Sequence, residues 1–225
     1  MVNEKIKQAV AICQEKNVDM WLTFARETSA TPDPMLELIL GTSCTWASAF
    51  IITASGDAVA LVGSLDVQNI KDHANYEVMG YVDSIKPDLL ATLSKYDPQR
   101  IAINFSTNDV MADGLTHGMY LTLAEYLQDT PYIDRLISSE EIVSALRGRK
   151  SPTEVNLIKD AIAETLDIFD HVTDWVRVGY TEKQVADFIK TKVRERGLGL
   201  AWDEAHCPAV FTGPDTAGAH AGPTD

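Results

Sequence analysis

Cysteine is scarce in this 225-residue chain: Cys13, Cys44 and Cys207 are the whole complement. An odd, widely spaced set with no C-x-x-C supplies neither a zinc knuckle nor a disulfide framework, and it fits a reducing compartment. Positive charge is scarce too. Nineteen Lys and Arg stand against thirty-three Asp and Glu, a formal net charge of -14. That balance repels phosphate backbones and anionic lipid surfaces, so nucleic acid and membrane are not expected partners. The acidic excess by itself reads as solubility and not as a metal site. No apolar run approaches the ~20 residues of a membrane span, and the opening MVNEKIKQAV lacks the basic end and apolar stretch of a signal peptide. A cytoplasmic protein is expected. Neither G-x-G-x-x-G nor G-x-x-x-x-G-K-[ST] occurs, which sets phosphate cradles aside, and the absence of G-x-S-x-G excludes a nucleophile elbow. Among His73, His117, His171, His206 and His220 there is no i, i+4 pair and no H-E-x-x-H, so no zinc-binding helix is written locally.

What is present is an ordinary globular composition, 45% hydrophobic and 23% charged. A fold of this size buries roughly 70% of its unfolded surface, enough for one large domain or two modest ones. Ile6, Ala9, Val10 and Cys13 recur at helical spacing, with Glu4, Lys5, Lys7, Gln8 and Glu15 on the other positions, and Asn17 stops the helix. Val18, Met20, Leu22 and Phe24 then alternate as a strand. Residues 26–33, with Pro32 inside and Pro34 following, break regular structure. TWASAFIIT and AVALV read as a β-hairpin turning at Gly56. A helix through Val67, Ile70 and Ala74, a strand at YEVMGY, a helix over residues 85–96, a strand at RIAINF and a helix over residues 119–127 follow. This alternation predicts an α/β unit with a parallel or mixed sheet covered by helices on both faces. It runs over residues 1–140.

From residue 141 the texture changes. Three capping boxes open helices in close order: Ser138 with Glu141, Ser151 with Glu154, and Thr181 with Gln184. The second opens a long helix with Pro152 at its first position and Val155, Ile158, Ile162, Leu166, Phe169, Val172 and Val176 on one apolar face. Gly179 ends it. The next helix turns Val185, Phe188, Ile189 and Val193 inward and ends at Gly197. A short strand over residues 207–211 then leads into a Gly/Pro/Thr loop carrying His220. Small residues let ligands approach backbone amides, so such a loop can hold a site. Cys207 and His206 would point to opposite strand faces and form no dyad. His73, His117 and His171 read as surface or capping residues, and Arg26 with Glu27 as a solvated loop pair.

Three stretches together resemble the pita-bread metallopeptidase family, which includes Xaa-Pro aminopeptidases, prolidases, methionine aminopeptidases and creatinase. They are Arg147-x-x-Lys150-x-x-x-Glu154, Gly179-Tyr180-Thr181-Glu182, and Pro208-x-Val210-x-x-Gly213 leading to His220-x-x-Pro223-Thr224-Asp225. The resemblance implies a creatinase-type, ribonuclease-H-like amino-terminal α/β domain over residues 1–140. An incomplete pita-bread α+β peptidase domain follows over residues 141–225. It further implies that His220 is the catalytic residue of this chain, on the substrate side of the pocket, hydrogen-bonding substrate or the tetrahedral intermediate. In the family the five metal ligands come after this loop. The complete protein would therefore use two divalent ions (Mn, Co or Zn) to generate a nucleophilic hydroxide, act on short peptides with proline in second position, and form a homodimer. No metal is expected on this chain, which is expected to be inactive alone, and Asp225 closes the loop without being a ligand. Ala219 departs from the proline that relatives often carry there and leaves substrate choice open. Two alternatives stand beside this reading: a creatinase-like C–N hydrolase and a non-catalytic peptidase-like binding module.

Overall fold

α1 (Val2–Glu15) forms where its apolar spacing predicts, with Ile6, Ala9, Ile12 and Cys13 buried. Asn17 ends it in the left-handed region at φ 52, which a short amide side chain tolerates. The Val18 amide then donates to the Cys13 carbonyl at 2.9 Å. Burial alone pushes the Cys13 thiol up to about 12, so it is an inert core residue. Lys5 departs from expectation. Assigned to the polar positions of the helix, it is 0% exposed, because it precedes Ala9 and Ile12 by four and seven residues and shares their face. Its ammonium donates to the carbonyls of Leu146 and Arg149, both at 2.8 Å, and lies 2.6 Å from Glu154 Oε2. All three N–H bonds are used.

The computed structural model describes residues 1–212 and 222–225, in two compact units, Met1–Glu154 and Val155–Asp225. In the first, six strands make one sheet: β1 (Met20–Ala25), β2 (Ser48–Thr53), β3 (Ala58–Gly63), β4 (Glu77–Tyr81), β5 (Ile101–Ile103) and β6 (Leu136–Ser138). Their order is β4-β3-β2-β1-β5-β6. β2 runs antiparallel to both neighbours, with Met20 opposite Thr53 and Ala25 opposite Ser48, and the remaining pairs are parallel. The expected hairpin turns at Gly56, whose φ of 105 suits glycine.

Period-two alternation sends the strand residues to two apolar layers. On one face Trp21, Ala25, Phe50, Ile52, Ala60, Val62 and Ala102 pack under α1, α2 (Leu36–Ile39), α3 (Val67–His73) and α6 (Glu140–Gly148). On the other, Met20, Leu22, Phe24, Ile51, Leu61 and Ile103 pack under α4 (Lys86–Tyr96) and α5 (His117–Leu127). Each fully buried Leu, Ile or Phe stabilises the unit by about 1.5–3 kcal/mol. The mixed, doubly covered sheet is the architecture the alternation predicts.

A polar hub sits inside this apolar frame. Asn104, 1% exposed, accepts from Trp21 Nε1 at 2.7 Å and Ser139 Oγ at 2.8 Å, and donates to Asp33 Oδ2 at 2.8 Å and Thr23 Oγ1 at 3.2 Å. Burial pushes the Asp33 carboxyl above its ordinary range, against the opposing hydrogen bonds from Asn104 and the Met35 amide. A Cβ on Gly114 would fall 2.3 Å from that carboxyl, so close approach requires glycine there. Ser138 ends β6, and its hydroxyl donates to the Phe105 carbonyl at 2.5 Å and accepts from the Glu140 amide at 3.1 Å, one residue short of the expected Glu141 amide. The residue before α6 is Ser139, whose hydroxyl is spent on Asn104 and makes no cap. The expected reciprocal box of Ser138 with Glu141 does not form; the Ser138 hydroxyl serves the Phe105 carbonyl and the Glu140 amide instead.

Candidate functional site

The second unit contains most of α7 (Pro152–Trp175) and all of α8 (Glu182–Glu195). The capping box that opens α7 is complete: the Glu154 amide donates to Ser151 Oγ at 3.2 Å, and the Ser151 amide donates to Glu154 Oε2 at 2.7 Å. Burial works to raise the Glu154 carboxyl. Hydrogen bonds from Lys5 and the Ser151 amide outweigh it and hold the group below the usual carboxylate range. Glu154, the last residue of the Arg147/Lys150/Glu154 stretch, thus serves the architecture of the first unit. Lys150 donates to the Arg147 carbonyl.

α8 opens on its own complete box, with the Gln184 amide donating to Thr181 Oγ1 at 3.2 Å and the Thr181 amide donating to Gln184 Oε1 at 2.9 Å. Gly179, at φ 96, makes the turn before it, and Gly197, at φ 66, follows it. The two helices pair at both ends. Trp175 stacks on Phe188 with ring centroids 4.2 Å apart and planes 5° apart. Arg196 pairs with Glu164 at 3.1 Å and also with Asp167.

Most of the apolar stripe of α7 faces solvent. Ile158 is 44% exposed, Ile162 53%, Leu166 58% and Phe169 53%, while Ile168 is the helix residue that is buried. The expected inward face is therefore uncovered among the described residues. Residues 207–211, expected as a strand, form none. A strand needs a hydrogen-bonded neighbour, and among the described residues this unit supplies no ladder.

His220, the expected catalytic residue, lies outside the described residues. Thr212 and Thr224, which flank it in the sequence, are described. Glu182, 7% exposed, is the first residue of α8, and its carboxylate turns away from its own helix. Oε1 accepts from the Thr212 amide at 2.7 Å, while Oε2 accepts from the Thr224 amide at 3.0 Å and from Thr224 Oγ1 at 2.9 Å. The Lys183 amide adds a bond to the Thr224 carbonyl at 3.0 Å. The amide bonds from Thr212 and Thr224 hold the Glu182 carboxyl below its ordinary range. Two of the three motif stretches are thereby in contact: Gly179–Glu182 touches the segment that runs from Pro208 to Asp225. Sequence reading missed this tie. An acid at the first position of a helix reads as a dipole partner, and a signal was present only in the two threonines flanking a small-residue loop.

The other singled-out residues take no part in these hydrogen bonds. Asp225 Oδ1 lies 3.5 Å from Lys183 Nζ. His73 Nδ1 and His171 Nδ1 lie 2.8 and 2.7 Å from the carbonyls four residues earlier, as helix-surface residues. His206 Nδ1 is 3.8 Å from Asp203 Oδ1 on an exposed turn. His117 begins α5 and lines an open cavity with Phe105, Asp113 and Tyr120. Arg26 and Glu27 are exposed, with Glu27 at φ 47 and its amide bonded to the Thr45 carbonyl at 2.8 Å. Among the described residues, no three His, Cys, Asp or Glu side chains gather as a metal-holding group. No described helix is long and apolar enough to cross a membrane.

Comparison with known proteins places the fold. No family model matches the chain. It is 26% identical over 179 residues to an uncharacterized peptidase of Staphylococcus saprophyticus, covering 79% of this chain and 46% of that protein. To an uncharacterized peptidase of Staphylococcus haemolyticus it is 23% identical over 151 residues, covering 67% and 39%. Among solved structures, the Xaa-Pro dipeptidase from Bacillus anthracis superposes with a TM-score of 0.59 at 19% identity, covering 89% of this chain and 50% of that one. The X-Pro aminopeptidase from Thermotoga maritima gives 0.58 at 18%, covering 94% and 57%. The fold is that of the amino-terminal portion of pita-bread, prolidase-type chains. The chain spans less than half the length of the two curated relatives and half that of the Bacillus anthracis dipeptidase.

Proposed function

We propose that this chain is the front portion of a metal-dependent Xaa-Pro peptidase, of aminopeptidase P or prolidase type, acting as a homodimer on short peptides with proline in second position. The observation that supports it most is the Glu182 contact, which joins the Gly179–Glu182 stretch to Thr212 and Thr224, the described residues that flank His220 in the sequence. Separated motifs that carry a resemblance mean more when the fold brings them together. The exposed stripe on α7 supports the same reading, because a contiguous apolar helix face is ordinarily covered by another layer. In this proposal the cover is the remainder of a pita-bread domain, which also supplies the carboxylates and histidine that hold two divalent ions. Residues of this chain contribute the substrate-facing rim. His220 hydrogen-bonds the substrate or donates to the developing oxyanion.

The test uses a longer protein that contains this chain and spans the full length of its relatives. His220→Ala is expected to lower turnover of an Xaa-Pro dipeptide about a hundredfold, the usual loss for one oxyanion-side partner, while metal content measured by atomic absorption stays unchanged. Equal losses of metal and turnover would make His220 a ligand and contradict its assigned role. A longer protein that binds no metal yet cleaves a small C–N substrate would favour a creatinase-like hydrolase.

A further inference from the structure

A sheet ends at two edges, and each edge strand carries a row of backbone N–H and C=O groups with no ladder partner. In the first unit one edge is β6, only three residues long, and shortness is itself a way of blunting an edge. The other is β4, which pairs with β3 residue for residue without a bulge. Neither Pro nor Lys interrupts it. Where β1 and β2 are buried along their whole length, β4 exposes Glu77, Met79 and Gly80, with Met79 38% and the following Val82 69% exposed. One bond fixes the phase of its backbone: the Ser64 amide donates to the Tyr81 carbonyl at 2.8 Å. In a parallel ladder alternate residues turn both backbone groups to the same neighbour, so Glu77, Met79 and Tyr81 face β3. Val78 and Gly80 face outward, and among the described residues no strand meets them.

We propose that β4 is a docking edge for a second copy of this chain, the two strands running antiparallel about a two-fold axis at Met79 and joining two six-stranded sheets into one. Centred on Met79, the pairing matches the whole of β4 to itself: Glu77 faces Tyr81, and Val78 faces Gly80. Val78 and Gly80 carry the outward backbone groups, so they exchange hydrogen bonds, while the two Met79 side chains meet at the closer, non-hydrogen-bonded position. No carboxylate is set against another. An axis at Gly80 would bring Glu77 opposite Asp83, and like charges directly opposite destabilise a pair. An axis at Val78 would leave Gly80 and Tyr81 opposite Tyr76 and Asn75, outside the strand. The contact is small, so association depends on concentration. It gives the homodimer of the proposed function a surface, and it does not rest on the peptidase reading.

Pairing is tested on the 225-residue chain by gel filtration with light scattering, in enough salt to screen its net charge of -14. The mass is expected to rise with concentration from the 24.7 kDa of one chain toward twice that. Met79→Lys, which sets two ammonium groups face to face at an exposed position, should return it to one chain. Crosslinking reads the register. Cys13 and Cys44 are buried, and Cys207→Ser removes the remaining thiol. In that background Met79→Cys should give a disulfide-linked dimer on mild oxidation, because the two α-carbons of such a pair lie about 4.5 Å apart. Glu77→Cys should not, since four residues of strand, roughly 13 Å, separate its two copies. Absence of the Met79→Cys crosslink would overturn the proposal. So would a dimer mass that Met79→Lys leaves unchanged, or equal crosslinking at both positions, because the contact would then lie elsewhere. No arm reads activity: if these results hold and the longer protein has no Xaa-Pro turnover, the pairing stands and the peptidase reading falls.

Discussion

Lys5→Met is expected to cost about 3–5 kcal/mol of unfolding free energy, the usual loss when one partner of a buried ion pair is removed. The methionine keeps the apolar stem, so little packing is lost. What disappears is a buried ammonium that binds the Leu146 and Arg149 carbonyls and the Glu154 carboxylate. The two carbonyls belong to the end of α6, whose orphan acceptors Lys5 satisfies from a different helix. The carboxylate belongs to the capping box that starts α7. One side chain thus anchors α1 to the junction of two later helices. Glu154→Gln keeps an acceptor for both donors but removes the counter-charge of the buried ammonium, and should cost about 1.5–3 kcal/mol, the worth of a charged hydrogen bond. Urea titrations followed by circular dichroism give both numbers. A Lys5→Met protein within 1 kcal/mol of the parent, about the net worth of one ordinary hydrogen bond, would contradict this role.

Asn104→Leu is expected to cost a similar amount, about 3–5 kcal/mol, because it strands several groups at once and their individual penalties of about 1–3 kcal/mol do not simply add. Trp21, Ser139, Thr23 and Asp33 each lose their bond to the same amide. The loss should depend on pH. The Asp33 carboxyl is already raised above its ordinary value of 3.8 by burial, so it lends most stability below that value and loses it as pH rises through the folded pKa. Asn104 favours the charged form, and removing it raises the carboxyl further. The deficit of Asn104→Leu should therefore be largest near neutral pH and shrink on acidification toward pH 3.8. A deficit that stays constant with pH would mean Asp33 is not part of the hub.

Much of the first unit was legible because local pattern and global fold agree there. The alternation of β1 and of the β2–β3 hairpin splits without exception between the two apolar layers, and Asn17 and Gly56 take the backbone conformations their types favour. Legibility failed where a tertiary partner overrode a local preference. Lys5 reads as a surface lysine until the end of α6 is placed beside it. Ser138 with Glu141 reads as a capping box until the Phe105 carbonyl takes the Ser138 hydroxyl as its donor. The short β6, three residues long, carries too little pattern to be found without its parallel partner β5. The capping boxes of α7 and α8 are local devices and were readable. The role of Glu182 was not, because it depends on donors thirty and forty-two residues away. The strand expected over residues 207–211 needs a ladder partner that the described residues do not supply.

The most direct test compares two purified proteins on Xaa-Pro dipeptides with added Mn²⁺: the 225-residue chain, and a longer protein that contains it and spans the length of its relatives. The account predicts no turnover by the 225-residue chain, whose described residues gather no metal-holding group, and chelator-sensitive turnover by the longer protein. Metal-dependent hydrolysis by the 225-residue chain itself, or none by the longer protein, would contradict it.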